Sequence, residues 1–211
     1  MQPVIHLRDA VALHGRFPAL AGVTADVHDG EIVLVRGPNG AGKTSLLRVC
    51  AGLLPVVRGE ASVLGFDLTK DAVAVRAQVG LLGHANGLYS DLTVRDNVAF
   101  WAACVGASAN EVVAVLDELG LSGRLADTVV DKLSTGQRRR TALASLLVRR
   151  PRLWLLDEPH AGLDAVGRDL VDAALRRAAE AGATVLFASH ELDRAEPLAH
   201  RVLELDGGVV R

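Results

Sequence analysis

The first group of residues able to do chemistry is Gly37-Pro38-Asn39-Gly40-Ala41-Gly42-Lys43-Thr44-Ser45. It fits the phosphate-loop pattern G-x-x-x-x-G-K-[ST], and it follows the apolar run Ile32-Val33-Leu34-Val35 and precedes Leu46-Leu47-Arg48-Val49. That is the strand, turn and helix context the pattern requires. Gly37, Gly40 and Gly42 free the backbone to turn tightly and aim successive N–H groups inward. Together with the positive end of the following helix, these groups hold phosphate oxygens. Lys43 is expected to reach the β- and γ-phosphates of a nucleoside triphosphate, and the Thr44 hydroxyl to ligate Mg²⁺.

A second group closes the apolar run Leu153-Trp154-Leu155-Leu156 with the adjacent acids Asp157 and Glu158. Two carboxylates at the end of a buried strand are costly unless a cation or a reacting water uses them. Alone, they read equally well as solvated loop acids. Beside a complete phosphate loop, the preferred reading has Asp157 holding Mg²⁺, directly or through water. Glu158 then orients and deprotonates the water that attacks the γ-phosphate.

The elements that must position these groups follow from period and punctuation. Up to about Arg36 the chain shows short apolar runs, Val4-Ile5-His6-Leu7, Leu20-Ala21-Gly22-Val23 and Ala25-Asp26-Val27, which predict short strands. Asp29-Gly30 predicts a tight turn before the strand that feeds the phosphate loop. Gly52 and Pro55 stop the helix after the loop, residues 59–65 read as another short strand, and Val79-Gly80-Leu81-Leu82 as an inner strand. From Leu92 the period becomes helical. Thr93 with Asp96, and Ser108 with Glu111, are capping-box starts, while Val94, Val98, Trp101 and Val105, then Val112, Val113, Leu116 and Leu119, keep helical spacing. Residues from about 88 to 148 are expected to form an inserted helical sub-domain, with Trp101 packed inside it and Phe100 either packed or part of a docking surface. The last third predicts a strand at 152–156, a helix with Leu170, Val171, Ala174, Leu175 and Ala178 on one face, and a strand at 184–188. Alternating strands and helices imply an α/β fold with a mostly parallel sheet, whose ligands bind at the carboxyl ends of the strands.

Composition narrows the function. The 211 residues suit one domain rather than two, and are enough to bury a real core. Half of them are hydrophobic, yet the apolar runs are a few residues long, far short of a membrane span. No charged start followed by an apolar stretch and a small-residue cleavage site is seen, so a cytoplasmic chain is expected. Cys50 and Cys104 lack metal spacing and carry no chemistry. A formal net charge of -2 argues against a nucleic-acid partner. The one basic cluster, Arg138-Arg139-Arg140, reads as a solvated helix face with some phosphate-side contacts.

Further motifs carry a family resemblance. Leu133-Ser134-Thr135-Gly136-Gln137 resembles the signature motif of ATP-binding cassette ATPases, Ala161-Gly162-Leu163-Asp164 their D-loop, and Ala188-Ser189-His190-Glu191 their switch histidine. The match spans essentially the whole chain, in the family's order. The resemblance implies a single cassette over residues 1–211: a phosphate-loop NTPase core with an N-terminal antiparallel β sub-domain and the inserted helices. It implies ATP and Mg²⁺ as cofactors. It further implies that Ser134, Gly136 and Gln137 serve the ATP of a second subunit in a head-to-tail dimer, with Asp164 across the interface and His190 contacting the γ-phosphate and attacking water. Lys43, His190 and the signature N–H groups then neutralise charge in the transition state. The chain departs from the family in three places. His84 stands where Gln is usual, either contacting metal or water or remaining an idle loop histidine; Thr135 replaces a commoner Gly; and the adenine-stacking aromatic falls near His14, with Phe17 close by. His160, between the acids and the D-loop, receives no role.

The resemblance also implies an integral membrane permease as partner, docked beside the segment from His84 to Trp101, and so a place at the cytoplasmic face of the inner membrane. Leu82-Gly83-His84-Ala85-Asn86-Gly87-Leu88, the short chain and the lack of a C-terminal regulatory extension are most similar to the haem-exporter ATPase subunits of cytochrome c biogenesis. The ATPase of a drug, lipid or peptide exporter is one rival expectation, and a soluble scaffold ATPase another. A nucleotide-binding regulator that barely hydrolyses is a third, against which Glu158 and His190 both speak.

Overall fold

The computed structural model describes residues 3–211. In chain order the elements are β1 (Ile5–His14), β2 (Phe17–Val27), β3 (Ile32–Arg36), α1 (Lys43–Cys50), β4 (Val56–Val63), β5 (Phe66–Asp67), α2 (Ala72–Gln78), β6 (Val79–Leu82), α3 (Val94–Val105), α4 (Ala109–Glu118), α5 (Thr135–Arg149), β7 (Leu153–Asp157), α6 (Ala165–Glu180), β8 (Thr184–Ala188), α7 (Leu192–Ala195), β9 (Arg201–Asp206) and β10 (Val209–Val210). An antiparallel sheet runs β2-β1-β4-β5, and a six-stranded sheet runs β10-β9-β3-β8-β7-β6. In the latter all neighbours are parallel except β10 with β9.

The central strands are apolar throughout because both faces of their sheet are covered. Ile32, Leu34, Trp154, Leu156, Val185 and Phe187 point into one core with the apolar faces of α3, α4, α5 and α6. Their alternates Val33, Val35, Leu153, Leu155, Leu186 and Ala188 point into a second core with α1 and the antiparallel sheet. The period of two thus divides each strand between the cores. Helices α3 and α4 begin at the expected Thr93/Asp96 and Ser108/Glu111 capping boxes, and α5 at a third, Ser134/Gln137.

Three expectations need correction. The separate short strands placed at 20–23 and 25–27 are one strand, β2, which continues through Gly22 at φ 119. The strand placed at 59–65 is β4, which starts earlier: Gly59 is an internal residue facing a bulge of β1 at Asp9 and Ala10 rather than a strand start. At φ 86 it lies where an added Cβ would collide with the carbonyls of Arg8 and Asp9, and the register with β1 shifts there. Finally, β6 is an edge strand, not an inner one. It reads as interior because it is covered closely: a Cβ on Gly80 would lie 2.6 Å from the Pro151 ring and 2.9 Å from Leu146.

Candidate functional site

The turn after β3 wraps the start of α1. Gly42 precedes the helix at φ 104, and a side chain there would meet the Ala19 carbonyl at 2.6 Å, so the loop is both left-handed and pressed against β2. Lys43 lies across the turn, its Nζ donating to the carbonyls of Gly37 at 2.7 Å and Pro38 at 3.1 Å. The loop opens on a cleft of about 630 Å³ lined by Asn39, Gly40, Gly42, Lys43, Thr44 and Ser45, and also by Asp157 and Glu158 from the end of β7. Thr44 Oγ1 donates to Asp157 Oδ2 at 2.7 Å, so two hard oxygen donors meet beside the phosphate loop. That pairing fits Mg²⁺, which takes one or two protein oxygens and completes its shell with phosphate and water.

Glu158 leaves the strand in the left-handed region, φ 51, a conformation costing about 1–3 kcal/mol for a side chain of this kind. Its N–H donates to Ala188 O at 2.9 Å, fastening the end of β7 to the end of β8. Its carboxylate accepts from the His190 N–H at 3.2 Å and lies 2.8 Å from His190 Nδ1. His190 itself is 68% exposed, so its ring faces open space on the side away from that contact.

What holds the Glu158 backbone was not visible in the sequence. Arg139, expected on a solvated face, is 5% exposed. Its guanidinium donates to the carbonyls of Asp157 and Glu158, the latter at 2.8 Å, and to Gly83 O at 2.6 Å and Asn86 Oδ1 at 3.1 Å. One cation thus ties α5 to the acids and to the loop carrying His84. Burial pulls its pKa down, against the smaller upward pull of the Asp157 and Glu158 charges. Arg138 and Arg140 are likewise spent on carbonyls, those of Val130 and Asp131 and of Leu119 and Gly120. The available signal was helical phase: consecutive residues point about 100° apart, and 139 shares the stripe of Ala142, Leu143 and Leu146, all buried. Arg139→Met is expected to destabilise the fold by about 3 kcal/mol or more, since each orphaned buried acceptor costs ~1–3 kcal/mol. The check is a fall in the urea midpoint at unchanged slope.

The remaining predicted residues divide between two places. His14, Phe17, His84 and Thr135 line the cleft of the phosphate loop, and Phe17 is 79% exposed. Ser134, Gly136, Gln137 and Asp164 line a second hollow of about 230 Å³, which adjoins the cleft at Gly162. There the Ser134 N–H donates to Gln137 Oε1 at 2.9 Å and Ser134 Oγ accepts from the Gln137 N–H at 3.2 Å. The capping box therefore uses the Ser134 N–H, and the N–H groups of Thr135 and Gly136 are the ones without an intrahelical partner. Asp164 caps α6, its Oδ1 accepting from the Gly167 N–H at 2.7 Å. Phe100 is partly exposed between Tyr89 and Trp101, and the Arg149 guanidinium sits 4.4 Å above the Trp101 ring. Among the described residues no helix is long and apolar enough to cross a membrane.

A parallel sheet with a phosphate loop at its carboxyl edge, and paired acids at the end of β7 one strand beyond β8 in the same sheet, defines a phosphate-loop ATPase. The ABC transporter family pattern matches residues 20–161, and the chain belongs to that family, as the ATPase subunit of an ABC transporter. It is 41% identical over 171 residues to the cytochrome c biogenesis ATP-binding export protein CcmA of Chelativorans sp. (strain BNC1), covering 81% of this chain and 83% of that one. It is 39% identical over 200 residues to the daunorubicin resistance ATP-binding protein DrrA3 of Streptomyces coeruleorubidus, covering 93% of this chain and 63% of that one. Among solved structures, a bacterial ABC transporter cassette described as dimeric superposes with a TM-score of 0.88 at 25% identity, over 98% of this chain and 96% of that one.

Proposed function

We propose that this subunit powers the haem exporter of cytochrome c biogenesis, working on the cytoplasmic face of the inner membrane through an integral permease. Support comes from the likeness to CcmA proteins and from the His84 loop. The similar likeness to DrrA3 supports the second reading, the ATPase of a drug exporter.

The catalytic part rests on one observation: Lys43, Thr44, Asp157 and Glu158 line a single cleft. Lys43 and the loop N–H groups, with those of Gly40, Ala41 and Ser45, hold the triphosphate of ATP. Thr44 and Asp157 would hold Mg²⁺, which supplies charge neutralisation on the β- and γ-phosphates. Glu158 takes the proton of the attacking water, and His190, held to its carboxylate, contacts the γ-phosphate. His14 faces the base. The hollow of Ser134, Gly136, Gln137 and Asp164, which adjoins this cleft at Gly162, serves ATP bound by a second copy. In that head-to-tail dimer ATP is the adhesive and hydrolysis opens it. Residues from about 88 to 148 act as the helical unit that presents this hollow and receives the permease.

His84 contacts metal or water through a ring nitrogen. In the assembled complex, His84→Gln should change coupled turnover more than it changes basal hydrolysis. Measuring both rates in the two proteins checks this, and unchanged coupled turnover would return His84 to an idle loop residue. The transport reading is tested by trapping Glu158→Gln with ATP in native membranes, purifying it and identifying its integral membrane companion while recording the visible spectrum. A cytochrome c maturation permease with a haem band is the expected result. A permease of another kind removes haem and leaves the exporter, and soluble companions alone remove transport.

A further inference from the structure

His160 is the least expected side chain near the acids. It is 1% exposed, two residues after Glu158, in a turn closed by Ala161 N–H to Glu158 O and Leu163 N–H to His160 O. Its Nε2 lies 2.8 Å from Asp172 Oδ1 on α6, while its Nδ1 is buried without a hydrogen-bond partner among the described residues. Facing a carboxylate, Nε2 donates, and Nδ1 is left shut away from water with nothing to pair with. An apolar side chain at this position would carry no such penalty, and a buried orphan nitrogen calls for a reason.

The reason lies beyond Asp172. The other oxygen of that carboxylate accepts from Arg194 Nη1 at 2.9 Å, and Arg194 also grips Asp169 one turn earlier on α6. Arg194 stands four residues after His190, and Arg168 on the same helix donates to Glu191 at 3.2 Å. One face of α6 is therefore bonded both to the turn that carries Glu158 and to the segment that carries His190. We propose that His160, Asp172 and Arg194 form a positioning relay that locks these two segments together and so sets the register of Glu158 against His190. None of the three touches the phosphate cleft, and they act through the backbone. Because Ala161 to Asp164 leads out of the same turn into the second hollow, the relay also ties the motion of that hollow to the hydrolytic pair.

This inference rests on Glu158 and His190 being the groups that act on the attacking water. The test measures kcat, KM for ATP and the thermal midpoint for His160→Leu, His160→Gln, Asp172→Asn, Arg194→Met and the double variant His160→Leu/Arg194→Met, with Glu158→Gln alongside. Misplacement of reacting groups by a fraction of an ångström should lower kcat about tenfold in His160→Leu and in Arg194→Met, with KM nearly unchanged. The double variant should be no worse than the poorer single, as for residues acting in one chain. His160→Gln, which keeps an N–H able to reach Asp172, should recover most of the rate. A lower thermal midpoint with native kcat in His160→Leu, or losses that multiply in the double variant, would overturn the relay. If His160→Leu does not fold, Asp172→Asn decides, and native kcat there overturns it equally. Full turnover in Glu158→Gln would instead strike the hydrolytic pair itself.

Discussion

Glu158→Gln is expected to lower ATP turnover by about 10²- to 10⁴-fold, the usual worth of a positioned general base, while ATP affinity stays close to native. The side chain is isosteric, and the backbone that holds it is fixed from outside the side chain, by Ala188 and by Arg139. The amide can still accept from the His190 N–H, so the contact survives and only the proton acceptor is lost. Binding draws on Lys43, Thr44 and the loop N–H groups, which the change does not touch. With ATP held and not consumed, the variant should accumulate as a dimer in size-exclusion chromatography. A protein that binds ATP and stays monomeric would count against the head-to-tail arrangement, whereas undiminished hydrolysis would remove Glu158 as the base.

Lys43→Ala should act on the other term. Its ammonium lies over the turn within reach of two carbonyls, placed where phosphate oxygens would compete for it. Removing one preorganised donor to developing charge costs about 10²–10³ in rate, and here ground-state phosphate contacts go as well. Both kcat/KM and nucleotide affinity should therefore fall, the pattern opposite to that of Glu158→Gln. The fold should be little affected, because Lys43 is solvent-accessible and starts rather than fills α1. Normal turnover in this variant would sink the phosphate-loop assignment.

The parts legible in the sequence were those whose determinants are contiguous. The phosphate loop is a nine-residue word, the strands β3, β7 and β8 are unbroken apolar runs, and the capping boxes of α3 and α4 sit three residues apart. What escaped depends on partners far along the chain. Arg139 looked solvated because its acceptors are the carbonyls of Gly83, Asp157 and Glu158, which no local pattern announces. β6 looked interior because Pro151 and Leu146 press on one face of a strand that pairs on one side only. Gly59 answers a bulge in β1 across the sheet, and the pairing of Glu158 with His190 joins residues 32 positions apart. His160 carried no motif, and its bond to Asp172 needed α6 to be laid against the turn.

The division of each central strand between two cores has a thermodynamic consequence. Neither core can melt alone, because removing one leaves β3, β7 and β8 with a bare apolar face while their other face is still packed. Heating should then give a single cooperative transition reported alike by helix and sheet signals. The slowest-exchanging amides should lie in those three strands, opening only with the whole molecule, while the β5 edge and the short α7 exchange through local fraying.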